Sequence, residues 1–120
     1  MSRAPARLRR GRPNKRDCLS EINSFERMGD RTDVLHAKGM ACGFENLVFT
    51  MEEAAGRLID EDSQADALSL IWRARGLYNR IFVLDMDKSE AKPLFDDAMR
   101  NMRLALDVVY IPRKGGVRNG

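Results

Sequence analysis

A chain of 120 residues, 43% hydrophobic and 32% charged, is long enough to bury a core of its own and short enough to be one domain. No apolar run approaches the roughly 18 residues of a membrane span, and no apolar segment follows the basic start as a secretion signal requires. The net charge of +3 conceals a segregation, because all 18 acids lie between Asp17 and Asp107 while both ends are purely basic.

Residues 1–16 hold seven bases, Arg3, Arg7, Arg9, Arg10, Arg12, Lys15 and Arg16, and no acid. They also contain Pro5, Gly11 and Pro13, with Leu8 the one large aliphatic residue after Met1. Such a segment buries too little apolar surface to offset its ordering entropy, so it reads as a flexible basic arm. It shares the charge of an organelle transit peptide but lacks the amphipathic apolar face. Cys18 and Cys42 form neither a CxxC pair nor a metal spacing, which fits free thiols in a cytoplasmic protein.

The body, residues 17–111, reads as helices. Asp17 is placed to cap a short first helix carrying Leu19, Ile22 and Phe25, with Gly29 as its stop. Residues 30–43 fit either a separate short helix or the frayed start of the next one. From Phe44 the period is clear, since Leu47, Val48, Met51, Ala54, Ala55, Leu58 and Ile59 recur at helical spacing. Ser63 and Asp66 resemble a capping box for the following helix. Its stripe of Ala67, Leu70, Ile71, Ala74, Leu77, Tyr78, Ile81, Phe82 and Leu84 covers more than half the cylinder, which predicts the central, most buried helix. Gly76 interrupts that helix, an arrangement that suits the close approach of another backbone. Pro93 fits the first turn of a last helix carrying Leu94, Phe95, Ala98, Met99, Met102, Ala105, Leu106 and Val109. Pro112 and the Gly115-Gly116 pair end the order and leave residues 112–120 as a flexible basic tail. The expected fold is all-α: a small antiparallel bundle of three long helices plus one or two short N-terminal helices.

The sharpest local motif is Arg10-Gly11-Arg12-Pro13. These four residues resemble the AT-hook core, in which Arg-Gly-Arg lies extended in the minor groove of A·T-rich DNA. Gly lets the backbone approach the groove floor, and the arginines run along its narrow, negative trough. Pro keeps the preceding residue extended, and Arg7, Arg9, Lys15 and Arg16 flank the motif as phosphate contacts. The same residues also suit sequence-independent binding to nucleic acid, or a basic tail with no such role. Arg73 and Arg80, two turns apart, together with Arg100 and Arg103 on the neighbouring helix, form a possible second basic ridge. The competing reading is that these arginines pair with local acids such as Asp66, Asp96 or Asp107.

Other chemistry finds little support. A helix-turn-helix over residues 30–52, with Gly39 and Gly43 at its corner, is opposed by Lys38 and Glu52 at core positions and by Glu45 and Glu53 on the helix that would face phosphates. His36 is the only histidine, so neither a His metal cluster nor a His-based triad is available. His36 and Cys42 are six apart across glycines, which is no recognised nucleophile–base arrangement. Phosphate-binding and dinucleotide fingerprints are lacking, so the expectation is no enzyme, no metal and no cofactor. The layout, an RGRP-like start followed by helices, is similar to that of small bacterial or phage DNA-packaging and regulatory proteins. It predicts a DNA-binding accessory protein whose body serves oligomerisation or partner contact. The alternative is a helical adaptor, or chaperone-like protein, that holds a partner helix in a groove lined by Met51, Met99 and Met102.

Overall fold

The structure, a computed structural model, describes residues 14–110. Four helices account for almost all of them, and no strand occurs among the described residues. They are α1 (Lys15–Arg31), α2 (Lys38–Gly56), α3 (Glu61–Val83) and α4 (Lys88–Tyr110). The all-helical bundle agrees with the sequence expectation, but its N-terminal part differs. In place of short helices there is one α1 of 17 residues.

That helix begins inside the segment read as an arm, because Asn14 rather than Asp17 is its cap. The Asn14 Oδ1 accepts the Asp17 amide at 2.8 Å. Cys18, Ile22, Phe25 and Gly29 are buried on one stripe at helical spacing. Gly29 does not stop the helix. A Cβ built on it would lie 2.3 Å from Phe95 Cζ, so the glycine is where α4 approaches α1. The end of α1 is finished from across the bundle by Lys88, whose Nζ donates to the Asp30 and Thr32 carbonyls at 2.9 and 2.7 Å. A cation at a helix C-terminus also meets the negative end of its dipole.

Residues 32–37 form the corner that sequence left open, and α2 starts at Lys38, six residues before the periodic stripe does. Gly39 and Gly43 therefore sit inside a helix, which removes the helix-turn-helix corner. Asp60, not Ser63, caps α3: its carboxylate accepts both the Ser63 amide and the Ser63 hydroxyl. Gln64 Nε2 donates to the Ala55 and Gly56 carbonyls at 3.3 and 3.2 Å, which clamps the end of α2 to the start of α3. Asp85, in the turn between α3 and α4, has φ 49, a left-handed conformation that aspartate tolerates better than most residues. Pro93 stands one turn further in than expected, because α4 begins at Lys88.

The most buried helix is α4, not α3. Ala91, Phe95, Ala98, Met99, Met102, Ala105, Leu106 and Val109 of α4 are all buried, whereas α3 exposes Phe82 and leaves Leu70 and Leu77 half-covered. Both α2 and α4 pack on all three other helices, while α1 and α3 have no backbone contact with each other. The core centres on Phe25, Phe44, Tyr78 and Phe95, whose rings pack at centroid distances of 4.5–6.1 Å.

Gly76 is exposed, and among the described residues nothing beyond the adjacent backbone of its own helix lies within 4 Å of a Cβ added there. Its helix cost is therefore not offset by any internal close approach. Gly76→Ala is expected to stabilise the chain by about 0.5–1 kcal/mol, measured by urea unfolding at low protein concentration.

Candidate functional site

Of the predicted DNA-binding residues, Arg7, Arg9, Arg10, Gly11, Arg12 and Pro13 lie outside the described residues. Lys15 and Arg16 fall in the exposed first turn of α1, directly after the Asn14 cap. They extend the basic segment onto the helix and are held on a rigid element there.

The four arginines of the supposed ridge are not brought together. Arg103 turns toward α1, where its guanidinium donates to Glu26 Oε1 at 2.6 Å and to Asn23 Oδ1 at 2.8 Å. Arg100 pairs with Asp97 three residues back on its own helix. Neither partner is one that the sequence suggested: Glu26 and Asn23 lie across the α1–α4 contact, which spacing does not reveal, and Arg100 takes Asp97 rather than the neighbouring Asp96. Arg73 and Arg80 stay exposed on the outer side of α3 and make no ion pair among the described residues. No family model, curated protein or solved structure matches this chain.

The supposed methionine groove does not exist either. Met51, Met99 and Met102 are fully buried and fill the core between α2 and α4. The most exposed aromatic side chains described lie elsewhere, on the outer side of α2 and α3. There Phe49 is 66% exposed and Trp72 is 54% exposed. Trp72 is held by its indole, which donates to Glu52 Oε2 at 2.9 Å. Glu45 stands 3.9 Å from Arg75 one stretch along the same seam. This exposed pair contributes little energy, but it shows that the two helices run in opposite directions along the seam. A shallow hollow beside Trp72 is lined by Glu61, Gln64, Ala65, Leu68 and Ser69. The missed signal was phase: Phe49 and Trp72 fall off the core stripes of their helices, and a large aromatic out of phase marks an outward face.

The two cysteines and the histidine have different surroundings. Cys18 is buried near the Tyr110 hydroxyl, and burial pushes its thiol above the ordinary value, away from the nucleophilic thiolate. Cys42 is exposed on α2, and His36 Nε2 lies 3.7 Å from Asp85 Oδ1. Among the described residues, no group of three or more His, Cys, Asp or Glu is placed to hold a metal, and no helix is long and apolar enough to cross a membrane.

Proposed function

We propose that this chain is a small DNA-binding accessory protein in which residues 1–16 contact the duplex and the helical body supplies oligomerisation or partner contact. The observation that carries the reading is charge segregation. Seven bases without an acid precede a body that holds all 18 acids. A polyanion is repelled by such a body and attracted by its basic end. Two of the four ridge arginines support the assignment, since Arg100 and Arg103 are engaged by Asp97 and Glu26. Duplex contact then falls to Arg7, Arg9, Arg10, Gly11, Arg12, Pro13, Lys15 and Arg16, with groove insertion by the RGRP residues as its sharper form. The reading assigns no reaction and no cofactor.

The test is duplex binding by the full chain as a function of salt. Seven phosphate contacts give a log–log slope of up to about −6, and replacing Arg7, Arg9, Arg10 and Arg12 by Ser reduces its magnitude by about 3 to 4. Stronger binding to A·T-rich than to G·C-rich duplex supports groove insertion, and equal binding supports backbone contact alone. A slope near zero, or one the four substitutions leave unchanged, rejects the reading. In that case the adaptor reading takes its place, and the exposed Phe49 and Trp72 favour it: a partner protein helix would lie on the outer face of α2 and α3, with no nucleic-acid role.

A further inference from the structure

We infer that α3 is the interface of an antiparallel, twofold-symmetric dimer, in which Trp72 of each copy seats in the hollow beside Ala65, Leu68 and Ser69 of the other. The inference deepens the proposed function by naming what the body assembles with. At 100° per residue, the centre of the outward face of α3 is formed by Ala65, Ser69, Trp72, Gly76 and Val83. One flank of this stripe is tied to α2 through Trp72, Arg75 and Gln64. The other flank carries four exposed charges in a polar order, Asp62 and Asp66 in the first half of the helix, then Arg73 and Arg80 in the second.

That order is self-complementary. A twofold axis perpendicular to two antiparallel helices sets like flank against like flank, with the sequence running in opposite directions. Placing Trp72 over Ser69 of the partner subunit brings Gly76 against Ala65 of the partner subunit. The same register sets Arg73 beside the partner's Asp66 and Arg80 beside the partner's Asp62, so four ion pairs form along one side of the contact. It also directs Val83, 73% exposed, toward the partner's Ile59, which at 95% is the most exposed large hydrophobic residue described. One sliding position thus satisfies the large-to-small contacts, the charges and the two outermost aliphatic side chains. Gly76, unexplained within one copy, becomes the point where the second helix comes close. A parallel twofold pair would instead set this charged flank against the partner's opposite flank, which is already tied to α2, and the self-complementary order would go unused.

Sedimentation equilibrium of the full chain without nucleic acid, from low to high micromolar concentration, tests this. The expected mass rises toward twice 13.6 kDa. Trp72 is the only tryptophan, so its emission is expected to shift to the blue over the same range. Arg73→Asp with Arg80→Asp makes the flank wholly acidic, and Asp62→Arg with Asp66→Arg makes it wholly basic. Each double variant is expected to weaken self-association at least tenfold, with circular dichroism confirming an intact fold. Mixed together, they are expected to form a one-to-one pair at least as tight as the unaltered dimer. A monomer throughout the range overturns the proposal. So does a dimer indifferent to charge reversal, or a mixture that stays apart. Because nucleic acid is absent and residues 1–16 are unaltered, failure here leaves the DNA-binding test standing, and failure there leaves the dimer standing.

Discussion

Phe95→Ala is expected to lower the unfolding free energy by about 3–5 kcal/mol, the range for removing a buried aromatic side chain. Phe95 is fully inaccessible, its ring lies 5.7 Å from that of Phe25, and its edge sits directly over Gly29 of α1. The same geometry reverses the usual sign of a helical Gly→Ala change. Alanine ordinarily gains about 1 kcal/mol over glycine within a helix. At Gly29 the new methyl would stand 2.3 Å from Phe95 Cζ, and the ring has Phe25 beside it. Gly29→Ala is therefore expected to destabilise by about 1–3 kcal/mol as an overpacked contact. In a Phe95→Ala background the methyl meets open space, and Gly29→Ala becomes neutral or stabilising. Urea unfolding of the four chains gives the coupling energy directly. Equal destabilisation by Gly29→Ala in both backgrounds would show that this contact does not set the spacing of α1 and α4.

That glycine also shows why local pattern predicts too short a first helix. Read locally, Gly29 after an apolar stripe is a stop signal, because glycine commonly follows a helix end. Its actual role depends on Phe95, 66 positions away, and nothing in local pattern carries that distance. The capping assignments missed for a related reason. Asn14, Asp17, Asp60, Ser63 and Asp66 are all competent caps, and only backbone conformation selects among them. By contrast, the core stripes of α2 and α4 were legible, since Phe44, Leu47, Val48 and Met51, and Phe95, Ala98, Met99 and Met102, repeat at helical period and are buried. The ranking of helices by burial was not, because Phe82 and Leu84 continue the α3 pattern yet point outward near its end.

The candidate site divides along the same line. Charge segregation is a property of composition and was visible in the sequence. Which arginines of the body remain free is a property of packing. Arg103 looked equivalent to Arg73 in the sequence, yet it is consumed by Glu26 and Asn23 across the α1–α4 contact. The methionines illustrate the converse. Their flexibility suits both a groove and an irregular core, and here they fill the core. The large aromatics left outside the core, Phe49 and Trp72, are residues that the periodicity sets aside.

The second large effect expected is a loss of stability between pH 10 and 12 that depends on one hydroxyl. Tyr78 is buried, stacks on Phe44 with a centroid distance of 4.5 Å, and donates its hydroxyl to the Leu35 carbonyl at 2.6 Å. Burial pushes its phenol from 10.0 up to about 12, because the charged phenolate is poorly solvated there. Below pH 10 both folded and unfolded chains hold the proton, and the contribution is fully present. Above it the unfolded chain releases the proton while the folded chain retains it, so the unfolded state gains and stability falls until the folded group also titrates. Two pH units correspond to about 3 kcal/mol. Tyr78→Phe lacks this titration, but at neutral pH it is expected to cost about 1–3 kcal/mol, since the buried Leu35 carbonyl loses its donor. The stability difference between the two chains should thus shrink, and then reverse or vanish, as pH rises from 9 to 12. Urea midpoints for both chains across that range measure it while cancelling the lysines they share. A difference that stays constant over the range would mean that the hydroxyl is solvated and that the corner at Leu35 is held by packing alone.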